Sequence, residues 1–235
     1  MLKNIDCEAC PTMDCPVKQC ESNWVNVINV SKNSVIYKKG QYIIKEGTPV
    51  YGLHFVQNGK VKIVSTDVDE KEQIVGLAKD GYILGPMYQD DEVHSIGAIA
   101  LDNSVICFLN KDTLQDTMKN NYKFINHLVL FYSRELNTSE LHIKYFAQMP
   151  VNKKIIFALA YIIETFGIDK RAKVIQGSFS RQDIAEIAGT NAEQVSRVIH
   201  FLKENNIIEI LGNKILVKKY AALKKMIVPY TKGLS

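Results

Sequence analysis

Four of the five cysteines fall within the first 20 residues, as Cys7, Cys10, Cys15 and Cys20, giving the spacing C-x2-C-x4-C-x4-C. Thiolates in such a run serve as ligands for an iron-sulfur cluster or for zinc, or act as redox-active thiols. A reducing cytoplasm argues against pairing them as structural disulfides. Zinc has a specific precedent in the knuckle, with cysteine standing in the histidine place, although this segment lacks a knuckle's glycines. Prolines follow two of the cysteines, at Pro11 and Pro16. The fifth, Cys107, stands alone in Val105-Ile106-Cys107-Phe108-Leu109, where it reads either as a further ligand or as a small buried hydrophobe. Histidines at His54, His94, His127 and His142 are scattered and offer haem ligation only as an addition to these readings.

A second constellation lies near the C-terminus, where Glu193, Ser196 and Arg197 share one face of a helical pattern. An arginine fork matches O6 and N7 of guanine in the major groove, and a carboxylate can accept from the amino group of cytosine. Charge supports a polyanion there. The chain carries +4 overall, but residues 1–149 sum to −3 and residues 150–235 to +7.

The elements that must hold these groups are legible in the spacing. Residues 31–109 give short runs of β-branched and aromatic residues, such as Tyr42-Ile43-Ile44 and Val61-Lys62-Ile63-Val64. Glycines punctuate them at Gly40, Gly47, Gly52, Gly59, Gly76, Gly81 and Gly85, as in an all-β domain of tight turns. From Leu114 to Met149 the period becomes helical, with Ile125, Leu128, Val129, Tyr132, Leu136, Leu141 and Phe146 and no Gly or Pro between. A helix of about 30 residues spans roughly 45 Å, more than one small core covers, so a partner subunit is expected on its apolar stripe. Pro150 ends it.

Residues 153–166 read as another amphipathic helix. After it come two capping-box signals, Ser180 with Asp183 and Thr190 with Glu193. They bracket a short helix with Ile184, Ala185, Ile187 and Ala188, a turn at Gly189, and a second helix over 192–204 that buries Val195, Val198, Ile199 and Leu202. Residues 207–211 and 214–217 then form strands around Gly212-Asn213. This is a winged helix-turn-helix. The assignment of Glu193 to the second capping box competes with base reading, and an i,i+4 pair with Glu193 is the plain alternative for Arg197.

The run Lys39-Gly40 through Gly47, followed by Gly52 through Ile63, resembles the β-roll of the cyclic-nucleotide-binding (CRP/FNR) superfamily. The segments Arg181-Gln182-Asp183-Ile184-Ala185 and Glu193-Gln194-Val195-Ser196-Arg197 resemble the helix-turn-helix of its FNR branch. The resemblance implies an α+β regulator. Its parts are a Cys-rich arm (1–24), a β-roll sensor (25–110), a dimerisation helix (111–149) and a winged helix-turn-helix (150–235). It further implies base reading by Glu193, Ser196 and Arg197 and phosphate contacts from Ser180, Arg181, Gln194 and Lys214. A homodimer on a palindromic DNA with half-sites of the TTGA type, and RNA polymerase as a partner for an activator, go with it. It also implies a [4Fe-4S] cluster on Cys7, Cys10, Cys15 and Cys107, with Cys20 as an alternative ligand and zinc as the rival metal.

The third spacing is one residue shorter than is usual in that branch. Cyclic nucleotide is not expected, because Gly81-Tyr82-Ile83-Leu84-Gly85-Pro86-Met87 lacks the family's glutamate and His94-Ser95-Ile96-Gly97-Ala98 lacks its arginine. No apolar run reaches the roughly 18 residues of a membrane helix and no signal peptide is evident, so a cytoplasmic protein is expected. No nucleophile-base arrangement or phosphate loop suggests an enzyme. The competing class is a β-roll adaptor that does not bind DNA.

Overall fold

The computed structural model describes residues 5–67, 71–86 and 93–234. Met87, the last residue of the segment compared with nucleotide-binding β-rolls, lies outside them. The chain divides into two compact units, Met1–Lys71 with Gly76–Ser133, and Glu72–Val75 with Arg134–Ser235.

The first unit is built on two antiparallel four-stranded sheets. Strands β1 (Asn33–Tyr37), β8 (Ser104–Asn110), β3 (Gly52–Asn58) and β6 (Ile83–Leu84) form one, in the order β1-β8-β3-β6. Strands β2 (Tyr42–Ile44), β7 (Gly97–Ala100), β4 (Val61–Thr66) and β5 (Glu72–Ala78) form the other, in the order β2-β7-β4-β5. Their inner faces bury Ile44, Val56, Val61, Ile63, Leu84, Ala98 and Ile106 in one core. Gly76 differs from the expected turn glycines. It sits inside β5, where an added Cβ would come within 3.1 Å of Ile63 Cδ1, so its role is close packing between strands.

A second core lies on the other face of the first sheet. There Leu53, Phe55, Ile83 and Leu109 meet Cys7 and Val17 of the N-terminal arm, Val25 and Ile28 of helix α1 (Ser22–Ser31), Leu114 of α2 (Lys111–Asn120), and Phe124 and Leu128 of α3 (Tyr122–Gln148). Helix α1 was not anticipated. Its sequence SNWVNVINVS is rich in β-branched residues, yet Val25 and Ile28 point inward one turn apart and supply the burial that holds it helical.

The single long helix expected over 111–149 is instead two. Asn121 leaves helical geometry at φ −132° and ψ 91°. Its backbone N–H still donates to the Thr117 carbonyl at 2.9 Å, its carbonyl accepts from Ile125, and its side-chain oxygen accepts from the Glu21 backbone. A short amide competing for backbone partners breaks a helix without help from Gly or Pro. Helix α3 still runs 27 residues, about 40 Å.

The second unit centres on α4 (Val151–Phe166), whose buried Ile155, Phe157, Leu159 and Ile162 run along one core. Helices α5 (Arg181–Ala188) and α6 (Ala192–Glu204) supply Ile184, Ile187, Val195, Ile199 and Leu202 to the same unit. Strands β9 (Ile208–Leu211) and β10 (Lys214–Val217) make the hairpin, and α7 (Tyr220–Lys225) follows. Residues near Val174 bridge to Leu216 and extend the wing beyond the two strands expected.

Candidate metal centre and nucleic-acid interface

Helix α1 and strands β3 and β8 position the cysteine site. The Cys7 backbone N–H donates to Asn29 Oδ1 at 3.1 Å, fixing the start of the arm on α1. Thr12 donates its hydroxyl to the Gln57 carbonyl at 2.5 Å, fixing the middle of the arm on β3, and Cys10 Sγ lies 3.5 Å from that same hydroxyl. On β8, Cys107 Sγ sits 3.3 Å from Gln57 Oε1 and 3.4 Å from Ser34 Oγ. The register pairs Cys107 with Ser34 on one side and Phe55 on the other.

The result is one small cavity lined by Cys7, Cys10, Cys15 and Cys107 and walled by apolar groups such as Ile28 and Phe55. All five cysteines are free thiols. Burial pushes the Cys15 thiol up to about 12. It also raises Cys7 and Cys107, against the opposing pull of Lys32 on both and of the Ser34 hydroxyl on Cys107. Four thiols facing a common space fit a cationic metal group, whose charge favours the thiolate form that burial disfavours at Cys7, Cys15 and Cys107. No three His, Cys, Asp or Glu side chains among the described residues are grouped tightly enough to hold a single ion. Cys20, the alternative ligand, does not line the cavity. Its Sγ is 4.0 Å from the Pro16 carbonyl, and burial lifts its thiol to about 11.

His54 and His94 are neighbours inside the β-roll, with ring centroids 6.4 Å apart and buried Nδ1 atoms that have no hydrogen-bond partner among the described residues. His142 belongs to the second unit, edge-on to Phe157 and Tyr161.

In the second unit the expected start of α5 is present in full. Ser180 Oγ accepts from the Asp183 backbone at 3.0 Å, and Asp183 Oδ2 accepts from the Ser180 backbone at 2.9 Å. The Ser180 hydroxyl proton also goes to Asp183, at 2.7 Å, so a phosphate contact there falls to groups around it. Gly189 closes α5 at φ 61°, the left-handed geometry that makes the turn sharp.

The second capping box is not formed as expected. Asn191, not Thr190, caps α6, its Oδ1 accepting from the Gln194 backbone at 3.0 Å. Asn outranks Thr as a cap, and the one-residue shift moves Glu193 from the box position. Glu193 instead pairs with Arg197 at 2.5 Å, both side chains well exposed. Val195, Val198, Ile199 and Leu202 are buried beneath. Ser196 donates to the Ala192 carbonyl at 2.8 Å and keeps its oxygen lone pairs for accepting. Arg181 and Lys214 are exposed, the latter at the start of β10 beside a turn in which Asn213 donates to Ser178 Oγ at 3.1 Å.

Helix α3 carries a feature that the spacing only hinted at. Tyr122, Val129, Leu136 and Ile143 recur at intervals of seven and are all between 48% and 76% exposed. Phe124 and Leu128, by contrast, are fully buried in the chain's own core. A seven-residue apolar repeat left open on a long helix is a stripe that a second helix can cover. None of the described helices is long and apolar enough to cross a membrane.

Residues missed by sequence reasoning are Asn29, Lys32, Ser34 and Gln57 around the cysteine cavity. The only local signal for them was the Val25–Ile28 stripe of α1 that brings Asn29 and Lys32 to the site.

Comparison with known proteins gives a consistent result. Residues 34–121 match the family of the cyclic nucleotide-binding domain, and residues 158–226 match the Crp-like helix-turn-helix domain. The chain is 22% identical over 211 residues to the transcriptional activator protein anr of Pseudomonas aeruginosa, covering 89% of this chain and 86% of that one. It is 22% identical over 192 residues to the cyclic AMP receptor protein of Thermus thermophilus, covering 81% of this chain and 86% of that protein. Among solved structures, FixK2 from Bradyrhizobium japonicum superposes with a TM-score of 0.73 at 19% identity, over 83% of this chain and 96% of that one.

Proposed function

The chain belongs to the CRP/FNR superfamily of DNA-binding transcription regulators, which are not enzymes, and on that premise we propose that its cysteine cavity holds a [4Fe-4S] cluster whose state governs DNA binding by a homodimer. The observation that carries this reading is the cavity lined by Cys7, Cys10, Cys15 and Cys107, three from the arm and one from β8. Cys20 stands outside that lining, which favours the other four as the ligand set. When bound, the cluster supplies reactivity toward oxygen or NO.

The residues of the chain do the rest. Asn29 and Thr12 hold the arm at Cys7 and Cys10, while Gln57 and Ser34 orient Cys107. Cys7 and Val17 pack in the same core as Phe124 and Leu128. Releasing the arm therefore loosens the start of the helix whose Val129, Leu136 and Ile143 meet the partner subunit. A dimer reaches both half-sites only when its recognition helices stand about one DNA turn apart, roughly 34 Å, so a small change along that seam switches affinity.

On DNA, Arg197 reads guanine and Glu193 the amino group of cytosine, after their mutual pair opens. Ser196 accepts at the groove wall. Arg181, Gln194, Lys214 and the amides around Ser180 take phosphates. The DNA is a palindrome, and RNA polymerase is the partner recruited at an activated promoter. The segments aligned with nucleotide-binding β-rolls carry neither the acid nor the arginine for cyclic nucleotide, which is not the signal.

The test is an anaerobic absorption spectrum with iron, sulfide and zinc analysis, repeated after brief air exposure. About four iron and four sulfide per subunit, bleaching in air, support the reading. Stoichiometric zinc in a colourless protein overturns it.

A further inference from the structure

Strand β3 breaks its pairing at one residue, and that residue meets the cysteine site. Its register against β8 steps from Val56 opposite Ile106 to Asn58 opposite Val105, which leaves Gln57 as the extra residue of a β-bulge. A bulge bends its strand and re-aims a side chain, and bulges gather beside functional sites. Gln57 is only 5% exposed, and a buried amide is held by its hydrogen bonds. Its two oxygens serve the surroundings of two cysteines. The backbone carbonyl accepts from the Thr12 hydroxyl, to which Cys10 Sγ donates at 3.5 Å, and the side-chain Oε1 accepts from Cys107 Sγ at 3.3 Å. The Ser34 hydroxyl, on the strand to the other side of Cys107, lies 3.4 Å from the same sulfur.

This arrangement suits a thiol and opposes a thiolate. A protonated Cys107 has one hydrogen, and it goes to Gln57 Oε1. A sulfur that ligates a metal has lost that hydrogen. The amide oxygen then turns the negative end of its dipole toward a negative sulfur at a buried position, which is unfavourable. The amide itself offers the way out. Its Nε2 carries two hydrogens and fills nearly the same volume as Oε1, so a half-turn about the last side-chain bond exchanges an acceptor for a donor without repacking the core. Ser34 has only to rotate its O–H toward the sulfur.

We propose that Gln57 and Ser34 are positioning residues for the metal centre: on loading, the Gln57 amide turns over and, together with the Ser34 hydroxyl, donates a hydrogen bond to the Cys107 sulfur. This rests on the reading that Cys7, Cys10, Cys15 and Cys107 hold an iron-sulfur cluster. Hydrogen bonds to the sulfurs are among the influences that set the reduction potential of such a centre. A donor draws charge from the sulfur and favours the more electron-rich state, so each of the two bonds raises the potential.

The experiment compares the full-length wild type with Gln57→Met, Ser34→Ala and Ser34→Thr, all purified anaerobically. Every one of these variants keeps the Gln57 backbone carbonyl, and with it the Thr12 anchor of the arm. Iron and sulfide are counted first, and the midpoint potential is then measured by spectroscopic titration. Gln57→Met and Ser34→Ala each remove one donor. Each is expected to shift the redox equilibrium at least about threefold toward the oxidised form, a fall of about 28 mV for a one-electron couple. Ser34→Thr keeps the hydroxyl and is expected to stay near the wild-type potential.

The sign of the change separates the possibilities. A higher potential in Gln57→Met overturns the proposal, because it means that the amide oxygen had stayed against the sulfur. Equal potentials in wild type, Gln57→Met and Ser34→Ala also overturn it, since side chains that only fill space or shape the strand leave the potential unmoved. If Gln57→Met fails to hold iron, the Ser34 pair decides: a fall in Ser34→Ala that Ser34→Thr reverses supports the assignment, and equal potentials overturn it. A wild type without iron or sulfide is a different failure. It removes the cluster itself, and this inference with it.

Discussion

His54 offers a quantitative check on the interior of the β-roll. Burial, with a smaller contribution from the nearby His94, pulls its pKa from 6.5 down to about 4. The folded protein therefore keeps this imidazole neutral through a pH range in which the unfolded chain takes up a proton. Stability from this group is fully present above pH 6.5, falls as the pH drops below it, and levels off below about 4. Integrating the linkage at pH 5 gives a loss of about 2 kcal/mol. With a urea dependence of about 2 kcal/mol per molar, the unfolding midpoint should fall by about 1 M between pH 7.5 and pH 5.

Other groups titrate over the same interval, so the informative quantity is the difference between wild type and His54→Leu. The leucine variant should lack that part of the pH dependence while keeping the contact with Phe108, whose ring lies 4.8 Å from that of His54. The single tryptophan, Trp24, sits on α1 in the first unit and reports its unfolding by fluorescence. The expected outcome is a pH-dependent midpoint shift about 1 M larger in wild type than in the variant. Identical pH profiles would refute the reasoning, since they would mean that His54 is as easily protonated folded as unfolded.

Further outcomes follow from the second unit and from α3. Arg197→Ala should lower discrimination at one guanine of a TTGA-type palindrome by roughly 1–3 kcal/mol in fluorescence anisotropy, while thermal stability changes by under about 0.5 kcal/mol. Lys214→Ala should instead weaken binding to all sequences and reduce the salt slope by about 1, and a sequence-selective loss would contradict the phosphate role. Asn191→Ala should destabilise the second unit by about 1 kcal/mol and Thr190→Ala by only a few tenths, and the reverse order would restore the cap to Thr190. Ile143→Glu places a charge in the open heptad seam, so sedimentation should show monomers at concentrations where wild type is dimeric.

The parts read correctly from sequence are those whose signals are local. The helix-turn-helix emerged because Ser180 with Asp183, Gly189 and the stripe Val195, Val198, Ile199, Leu202 each state their own geometry within a few residues. The Thr190 and Asn191 pair shows where local reading fails. Two adjacent residues can both cap a helix, and only the path of the chain selects one. Helix α1 escaped because its β-branched composition points to a strand, while the core that holds it comes from distant β3, β6 and β8. The break at Asn121 depends on a hydrogen bond from Glu21, a hundred residues away in sequence. The meeting of Cys107 with the arm was suggested by resemblance, but its surroundings were not. Gln57, Ser34 and Lys32 reach the site through strand register and the end of α1, which no spacing encodes.

The measurement that bears most directly on the central claim is operator affinity in two redox states. Protein prepared without oxygen is titrated onto a TTGA-type palindrome before and after brief exposure to air, beside Cys107→Ser treated in the same way. The account predicts tight binding by the anaerobic wild type, a loss of at least about tenfold after air, and weak binding by Cys107→Ser in both conditions. Equal affinity for wild type and Cys107→Ser, unchanged by air, would contradict it and leave a DNA-binding regulator whose cysteine cavity does not govern its binding.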